Sequence, residues 1–223
     1  MKAVIFDLNG TMIYDSAKHE FAWKKCIFES FGIKLSEDEF NKNINGKTNR
    51  KIVEYVTSVA NIEFSEELLV KTADEKERIY RDLCINDPCF SLAPGLYEFL
   101  DYLKSVGASY TIVTSSEEEN VDFYFKTLGL SRWFYKDKII YDKGTMPGKP
   151  DPAFYLAAID MLCRRADDCI VFEDSASGII SARSTGIKTI IGVASAVDPS
   201  YLYKMDGIER IIPDYHDYKN LPI

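Results

Sequence analysis

Side chains that could bind a metal ion and a phosphate group follow or flank several short apolar runs in this sequence. Carboxylate oxygens are the ligands that hard divalent cations such as Mg²⁺ prefer, and lysine and hydroxyl side chains bind phosphate oxygens. Ligands of open parallel sheets bind outside the carboxyl ends of the strands, so these side chains are expected at one edge of a sheet. In chain order they are Asp7, Asn9, Thr114, Ser115, Lys149, Glu173 and Asp174.

Each of these residues also has a purely structural explanation. Asp7 alone is as consistent with a helix cap as with a chemical role, and Glu173-Asp174 would suit the first turn of a helix. Lys149 alone could be one more surface lysine. Chance is a poor explanation for such residues at the same ends of four elements, in this order. Taken together, the residues therefore favour a site that binds a metal ion and phosphate.

The elements that must position these residues alternate between strand and helix after Pro88. This alternation indicates a parallel sheet with helices on both faces. The first apolar run has no strand beside it in sequence, so we expect it to join the later sheet. The predicted strands are 3–6, 110–113, 138–141, 169–172, 188–191 and 208–212, and the predicted helices between them start at 94–95 or cover 117–128, 152–163 and 175–184.

Between Asp15 and Pro88 the pattern is helical throughout. Helices are predicted over 16–31, 48–60 and 65–83, and Ser36 with Glu39 forms a capping box that opens a short acidic helix. The fold class is therefore α/β, with a three-layer core of residues 1–14 and 88–223. An all-helical domain of residues 15–87 is predicted as an insertion after the first strand.

Composition excludes several classes of protein. The chain has 223 residues and a formal charge of −8, which argues against a nucleic-acid binder. The apolar run at the N-terminus is short and contains an Asp, and no later run reaches the roughly 18 residues of a membrane span. Five cysteines without a C-x-x-C pair and 2 histidines argue against a disulfide scaffold or a multi-histidine metal site. We expect a cytoplasmic monomer or weak dimer with no nucleic-acid or membrane partner.

Four motifs carry a resemblance to a known family. FDLNGT, YTIVTS, GKPDP and VFEDSASG resemble the four ordered motifs of the haloacid dehalogenase superfamily, in particular its beta-phosphoglucomutase-like subgroup. The resemblance covers nearly the whole chain, because the helical insertion stands where the subgroup carries its helical cap. His19 and the segment Asn45–Arg50, with Gly46 and Lys47, also resemble subgroup features. The resemblance implies a Rossmann-like core.

The resemblance also implies a mechanism. Asp7 would be the nucleophile that forms an aspartyl phosphate, and Mg²⁺ would be held by Asp7, the backbone carbonyl of Asn9 and Asp174, with Glu173 as a further or alternate ligand. A small phosphorylated metabolite would be the substrate, and the cap would open to admit it and close over it. The implied phosphate and substrate contacts are Thr114, Lys149, Gly10, Thr11, Ser115, His19, Gly46 and Lys47, with backbone amides near Gly10 and Ser115 forming a cradle at helix N-termini.

Asn9 is the main departure from the family pattern, which has an Asp at this position. That acid protonates the leaving oxygen and then activates water, a role typically worth roughly 10²–10⁴-fold. An amide does not titrate near neutral pH.

Several explanations are open for this departure. They are a substrate that needs little protonation, another group such as His19 that supplies the proton, and an introduced substitution at position 9. A branch that uses a cap lysine as a Schiff base would need Lys47. A chain that binds phosphorylated ligands without turning them over is the alternative from another functional class.

The sequence favours a phosphatase over a mutase. A mutase needs the acid that Asn9 replaces. The mutases that this chain resembles have Lys-Asn after the second motif, where this chain has Glu117-Glu118. Restoring the acid with Asn9→Asp is expected to raise turnover of substrates with poor leaving groups at least about tenfold.

Overall fold

The computed structural model describes residues 1–44, 47–195 and 199–223. The chain divides into two compact units, one of Met1–Asp15 with Ser91–Ile223 and one of Ser16–Phe90. The first unit holds a parallel sheet and its helices. In the second unit, the regular elements of the described residues are all helices.

The sheet of the first unit has six parallel strands within the described residues, in the order β3-β2-β1-β4-β5-β6. The first strand therefore lies in the middle of the sheet, between two strands that come much later in the chain. The strands are β1 (Ala3–Asp7), β2 (Tyr110–Glu117), β3 (Ile140–Asp142), β4 (Cys169–Glu173), β5 (Thr189–Val193) and β6 (Arg210–Ile212).

The central strands form because their side chains are apolar on both faces. Residues of β1 and β4 alternate between the two faces of the sheet, and all of them are buried. On one face, Ile5 and Val171 pack in a core with Phe154 and Ile179 from two helices. On the other face, aromatic rings contact one another, namely Phe6, Phe99, Phe172 and Tyr215.

Helices cover both faces, so the unit has three layers and the predicted α/β fold is confirmed. The helix carrying Phe99 belongs to one face, and the two that carry Phe154 and Ile179 belong to the other. In the order of this unit the helices are α5 (Leu96–Ser105), α6 (Glu118–Leu128), α7 (Ala153–Met161) and α8 (Ala176–Ser184).

The second unit contains the remaining helices, and their starts follow the capping signals of the sequence. Ser36 and Glu39 form the predicted capping box, and Thr48 and Ser65 each accept a backbone hydrogen bond at the start of their helices. The helices are α1 (Ser16–Phe31), α2 (Glu37–Asn43), α3 (Asn49–Ala60) and α4 (Glu66–Ile85).

Two predicted strands are shorter or shifted in the structure. The strand predicted over 138–141 is Ile140–Asp142, because a 3₁₀ turn at Lys136–Lys138 precedes it. The last strand begins at Arg210 rather than at residue 208. No helix among the described residues has the length and apolar character that a membrane span requires.

Replacing Phe172 by Ala is expected to destabilise the first unit by about 3–5 kcal/mol, the usual cost of emptying a buried aromatic site. Phe172 is fully buried and stacks on Phe6 with ring centroids 5.1 Å apart. Urea unfolding followed by circular dichroism measures the loss. Phe28→Ala is the matched control, since Phe28 is 57% exposed on α1. A Phe172→Ala loss no larger than that of the control would contradict the packing described.

Candidate active site

Three carboxylates meet at the carboxyl ends of the two central strands. Asp7 ends β1, Glu173 ends β4, and Asp174 follows directly. Phe6 pairs with Phe172 across the two strands, which brings the next residue of each strand to the same level. One carboxylate oxygen from each of the three residues lies within 4.8 Å of the others. The sheet therefore brings together the acids that the sequence predicts at its edge.

Lys149 lies between two of these carboxylates. Its Nζ is 2.5 Å from Asp7 Oδ1 and 2.6 Å from Glu173 Oε1, and the side chain is 6% exposed. Burial by itself lowers the pKa of Lys149, but the charges of Asp7 and Glu173 outweigh it and raise the pKa well above its usual value. Lys149 is therefore a fixed positive charge and not a proton donor near neutral pH.

Glu173 is fully buried, and protein groups bind both of its carboxylate oxygens. Tyr155 donates its hydroxyl to Oε1 at 3.2 Å, and Ser175 donates its backbone N–H to Oε2 at 2.7 Å and its hydroxyl to the same oxygen at 3.0 Å. Gly178 leaves room for this carboxylate, since a Cβ there would lie 1.5 Å from Glu173 Oε1. The geometry favours Glu173 as an anchor for Lys149.

Asp7 and Asp174 keep more of their binding capacity. Asp7 Oδ2 is buried and has no hydrogen-bond partner among the described residues. Asp174 Oδ1 accepts a hydrogen bond from Thr11 Oγ1 at 3.2 Å, and its backbone carbonyl accepts one from the Tyr201 hydroxyl. A buried oxygen without a partner is costly, so this pattern fits a site that binds a further positive group.

The pKa values of Asp7 and Asp174 also indicate that the cluster has too little positive charge for its carboxylates. Burial raises the pKa of Asp7 to about 7; Lys149 opposes the rise and Glu173 adds to it. Burial, with the charges of Glu173 and Asp7, raises the pKa of Asp174 well above its usual range. Three carboxylates face one ammonium group, and a divalent cation between Asp7 and Asp174 would balance them. The donor set fits Mg²⁺, which prefers oxygen ligands.

Gly10 is required by both its backbone and its surroundings. Its φ is +79°, and a Cβ at this position would lie 2.1 Å from Asp174 Oδ2. Its N–H donates to Ile13 O at 2.7 Å and to Asp15 Oδ1 at 3.0 Å. The N–H of Gly10 is therefore engaged within the loop, and the absence of a side chain leaves room for Asp174. The contact of this segment with phosphate stays a prediction.

The side-chain amide of Asn9 makes hydrogen bonds with Asp15, Tyr124 and Ser116. Its Nδ2 donates to Asp15 Oδ2 at 2.7 Å and to the Tyr124 hydroxyl at 2.8 Å, and its Oδ1 accepts from Ser116 Oγ at 2.8 Å. These contacts connect the loop after β1 to the end of β2 and to α6. Asn9 is thus held on the side of the loop that faces these elements.

The second strand is longer than predicted, whereas the helix after it begins within one residue of its predicted start. The sequence predicts a strand that ends at Val113 and a helix from Glu117, but β2 runs on to Glu117 and α6 begins at Glu118. The reason is an irregular pairing with β3, which matches Val113 and Glu117 of β2 to Ile140 and Asp142. Ser115 is therefore an exposed strand residue, three positions before the helix.

Thr114 lies in the same strand and is buried. Its Oγ1 accepts the backbone N–H of Ser116 at 3.1 Å. This turn-like contact accompanies the irregular pairing and fixes the Thr114 hydroxyl. Its binding of a phosphoryl oxygen stays a prediction.

The remaining predicted residues belong to the helical unit. His19 stacks on Tyr80 with ring centroids 3.9 Å apart, and its Nδ1 is 2.8 Å from the Nζ of Lys76. Lys47 is exposed just before the start of α3, and Gly46 lies outside the described residues. The roles of these three residues in substrate binding stay predictions.

Sequence reasoning did not single out Asp15, Ser116, Tyr124, Tyr155 or Lys76. Asp15 lies six residues after Asn9, and Ser116 lies two residues after Thr114. This closeness to the motifs could have marked both as candidates for the site. Tyr155 falls one helical turn after the GKPDP motif. Tyr124 and Lys76 lie inside ordinary amphipathic helices, where nothing in the pattern separates a site residue from a packed one.

Known proteins similar to this chain place it in a family. The family model described as haloacid dehalogenase-like hydrolase matches residues 1–186. A phosphorylated carbohydrates phosphatase from Thermotoga maritima is 29% identical over 216 residues, 96% of this chain and 95% of that protein. A beta-phosphoglucomutase from Bacillus subtilis is 32% identical over 195 residues, 84% of this chain and 81% of that protein.

A solved structure shares the fold along almost the whole length. The crystal structure of a HAD hydrolase, family IA, variant 3, from Entamoeba histolytica has a TM-score of 0.89 and 39% identity to this chain. The match covers 97% of this chain and 95% of that one. The motifs, the sheet order and these likenesses agree: this chain belongs to the haloacid dehalogenase-like hydrolases.

Proposed function

We propose that this chain is a Mg²⁺-dependent phosphatase that acts on a small phosphorylated sugar through an aspartyl phosphate on Asp7. The observation that carries the proposal is the buried oxygen Asp7 Oδ2, which lacks a hydrogen-bond partner among the described residues. It belongs to a carboxylate that is paired with Lys149 through Oδ1 and clustered with Glu173 and Asp174. A free carboxylate oxygen in that setting suits both a metal ion and attack on phosphorus.

Asp7, Asp174 and the backbone carbonyl of Asn9 would hold the cation. Mg²⁺ bound there would reduce the repulsion between the Asp7 carboxylate and an anionic phosphate and stabilise charge on the transferring group. Glu173 would act mainly by holding Lys149, because protein donors bind both of its oxygens. Lys149 would add the second positive charge that a phosphoryl group needs.

The reaction divides into two displacements. A carboxylate oxygen of Asp7 attacks phosphorus, the new oxygen–phosphorus bond forms, and the ester bond breaks with its electron pair on the leaving oxygen. Water then attacks the phosphorus of the acyl phosphate, and the bond between phosphorus and the Asp7 oxygen breaks with its electron pair on Asp7. Inorganic phosphate leaves with the oxygen and protons of the water, and the leaving oxygen of the first step takes its proton from solvent. Lys149 stays protonated throughout and holds Asp7 Oδ1 by a charge-assisted hydrogen bond.

Asn9 limits which esters react well. The leaving oxygen needs a proton when it is a poor leaving group, and an amide does not supply one. Acyl and aryl phosphates leave without help, whereas alkyl phosphates such as hexose phosphates depend on another donor. We therefore propose slow turnover of simple alkyl phosphates.

The substrate class rests on the relatives. The Thermotoga maritima protein is named for phosphorylated carbohydrates, which supports a sugar phosphate here. The likeness to the Bacillus subtilis protein favours a second candidate, a sugar phosphomutase. Asn9 is evidence against a mutase. A mutase transfers the phosphoryl group back to a sugar hydroxyl, and this requires a base that removes the hydroxyl proton.

The acids at the start of α6 are weaker evidence for a phosphatase over a mutase than the sequence indicates. Glu118 Oε1 accepts a hydrogen bond from Lys136 Nζ at 2.9 Å and one from the Tyr141 hydroxyl at 3.3 Å. The charge of Glu118 is therefore compensated locally, and its repulsion of a second phosphate is reduced. The preference for a phosphatase depends mainly on Asn9.

Asp7→Asn is expected to reduce Mg²⁺-dependent hydrolysis of p-nitrophenyl phosphate to background, because the amide is a poor nucleophile. Steady-state release of p-nitrophenol measures the effect. Asp160→Asn makes the same change at an exposed position of α7 and is expected to keep full activity. Turnover that persists in Asp7→Asn would exclude Asp7 as the nucleophile.

Wild-type turnover is expected to depend steeply on the leaving group. Acetyl phosphate and p-nitrophenyl phosphate should exceed hexose 6-phosphates in kcat by about 10² or more, the lower range of general acid catalysis. Phosphate release under identical Mg²⁺ concentrations measures the series. Equal kcat values across it would mean that another group donates the proton efficiently. Isomerisation of a hexose 1-phosphate with a bisphosphate activator would instead support the mutase.

Mg²⁺ affinity is expected to rise between about pH 6 and about pH 8. Asp7, with a pKa raised to about 7, must lose its proton before it binds a cation, so acid competes with the metal. Below that pKa, displacing one proton changes the affinity by about tenfold per pH unit. Isothermal titration calorimetry measures it, with Asp7→Asn expected to give a weaker and flatter profile. A flat wild-type profile would contradict the assignment of Asp7 as a ligand.

A further inference from the structure

The amide of Asn9 and the carboxylate of Asp15 form a matched pair of donor and acceptor. Asp15 is 1% exposed, and its Oδ2 accepts a hydrogen bond from Asn9 Nδ2 at 2.7 Å. Its other oxygen, Oδ1, accepts the backbone N–H of Gly10 at 3.0 Å. A carboxylate has acceptors on both oxygens, so the geometry uses Asp15 as an acceptor at each end.

The two contacts of Asp15 restrain the backbone and the side chain around the peptide bond between Asn9 and Gly10. The N–H of Gly10 belongs to the peptide that also carries the carbonyl of Asn9. In a trans peptide these two groups point in opposite directions, so the bond to Asp15 directs the Asn9 carbonyl away from Asp15. The bond from the Asn9 side chain then limits rotation of the same residue. Asp15 therefore orients both the side chain and the backbone of Asn9.

We infer that Asp15 is a positioning residue that selects an amide at position 9, so that Asn9 and Asp15 work as one unit. The functional part of this inference rests on the proposed phosphatase reaction, whereas the pairing itself does not. It follows that restoring an acid at position 9 requires removal of the acid at position 15. The sequence alone led us to expect that Asn9→Asp by itself restores the acid.

Asn9→Asp in the wild-type background would place a second carboxylate against the first. The oxygen that replaces Nδ2 would lie where a donor lies now, 2.7 Å from Asp15 Oδ2. Two ionised carboxylates at this distance repel each other in a buried setting, and both lack the hydrogen that joins the native pair. The variant is expected to be less stable and its new acid to be misplaced.

Exchanging the two residues would keep the hydrogen bonds between position 9, position 15 and Gly10. In the double variant Asn9→Asp with Asp15→Asn, the amide at position 15 donates to the carboxylate at position 9 and accepts the N–H of Gly10. Tyr124 and Ser116 both contact Asn9 through hydroxyls, which donate or accept as required. The exchange also keeps the net charge and, nearly, the volume of the site.

A double-mutant cycle in stability tests the pairing. Asn9→Asp, Asp15→Asn and the exchanged double variant are compared with wild type by urea unfolding, without Mg²⁺. We expect each single variant to lower the midpoint and the double variant to recover most of the loss. Asn41→Asp adds the same charge at an exposed position of α2 and controls for net charge. Losses of the single variants that simply add in the double variant would overturn the inference.

The inference remains testable if the single variant Asn9→Asp does not fold, because the other variants can still be compared. Asp15→Asn and the double variant differ only at position 9, and we expect the acid to raise stability in that background. A further loss on adding Asn9→Asp to Asp15→Asn would overturn the inference just as firmly.

Turnover of a hexose 6-phosphate provides a readout that a merely structural role would not change. We expect kcat of the exchanged variant to exceed wild type at least about tenfold, with Asn9→Asp alone below the exchanged variant. A single variant as stable and as active as the exchanged one would refute the role of Asp15. Absence of turnover in all variants, with acetyl phosphate as well, would instead refute the proposed function and leave the stability cycle unaffected.

Discussion

The structure depends on keeping three carboxylates together at the edge of a sheet with one buried ammonium group among them. The carboxylates stand on two adjacent central strands and on the residue that follows one of them, so the backbone ladder determines their separation. Lys149 compensates part of the charge, and hydrogen-bond donors from Tyr155 and Ser175 hold Glu173. Neighbouring features serve this arrangement: Gly10 and Gly178 exist as glycines because the acids occupy the space where a side chain would be. One ammonium group does not balance three carboxylates, so the cluster has the charge to bind a further cation.

The sequence predicts the framework of this site better than its contacts. Asp7, Lys149 and Asp174 are predictable because each follows or flanks a short apolar run, and parallel strands bring their carboxyl ends to one edge. The contact between Asn9 and Asp15 is not predictable from spacing alone, because it depends on the turn that the backbone makes at residues 8–13. Periodicity describes regular elements, and this loop is irregular.

The same limit explains why the sequence predicts the end of β2 four residues too early. Apolar periodicity ends at Val113, yet β2 pairs with β3 again at Glu117, after an irregular register between these two residues. Polar side chains extend a strand when a neighbouring strand supplies hydrogen bonds, and no local signal reports that neighbour. In the helical unit, Lys76 shows a similar effect. It is buried because His19, Trp23 and Glu77 surround it, although its position in the sequence is typical of a surface lysine.

The central position of β1 has a consequence for how the chain is made. Val4 pairs with Tyr110 and Ala3 pairs with Cys169, so β1 finds its partner strands only after the long segments between them have been synthesised. Such distant pairings carry a large loop-closure cost and slow the folding of parallel sheets. The intervening helices α1–α4 rely on contacts within their own segment and are able to form earlier. The apolar first strand therefore stays without its sheet partners while the helical segment that follows it is already able to form.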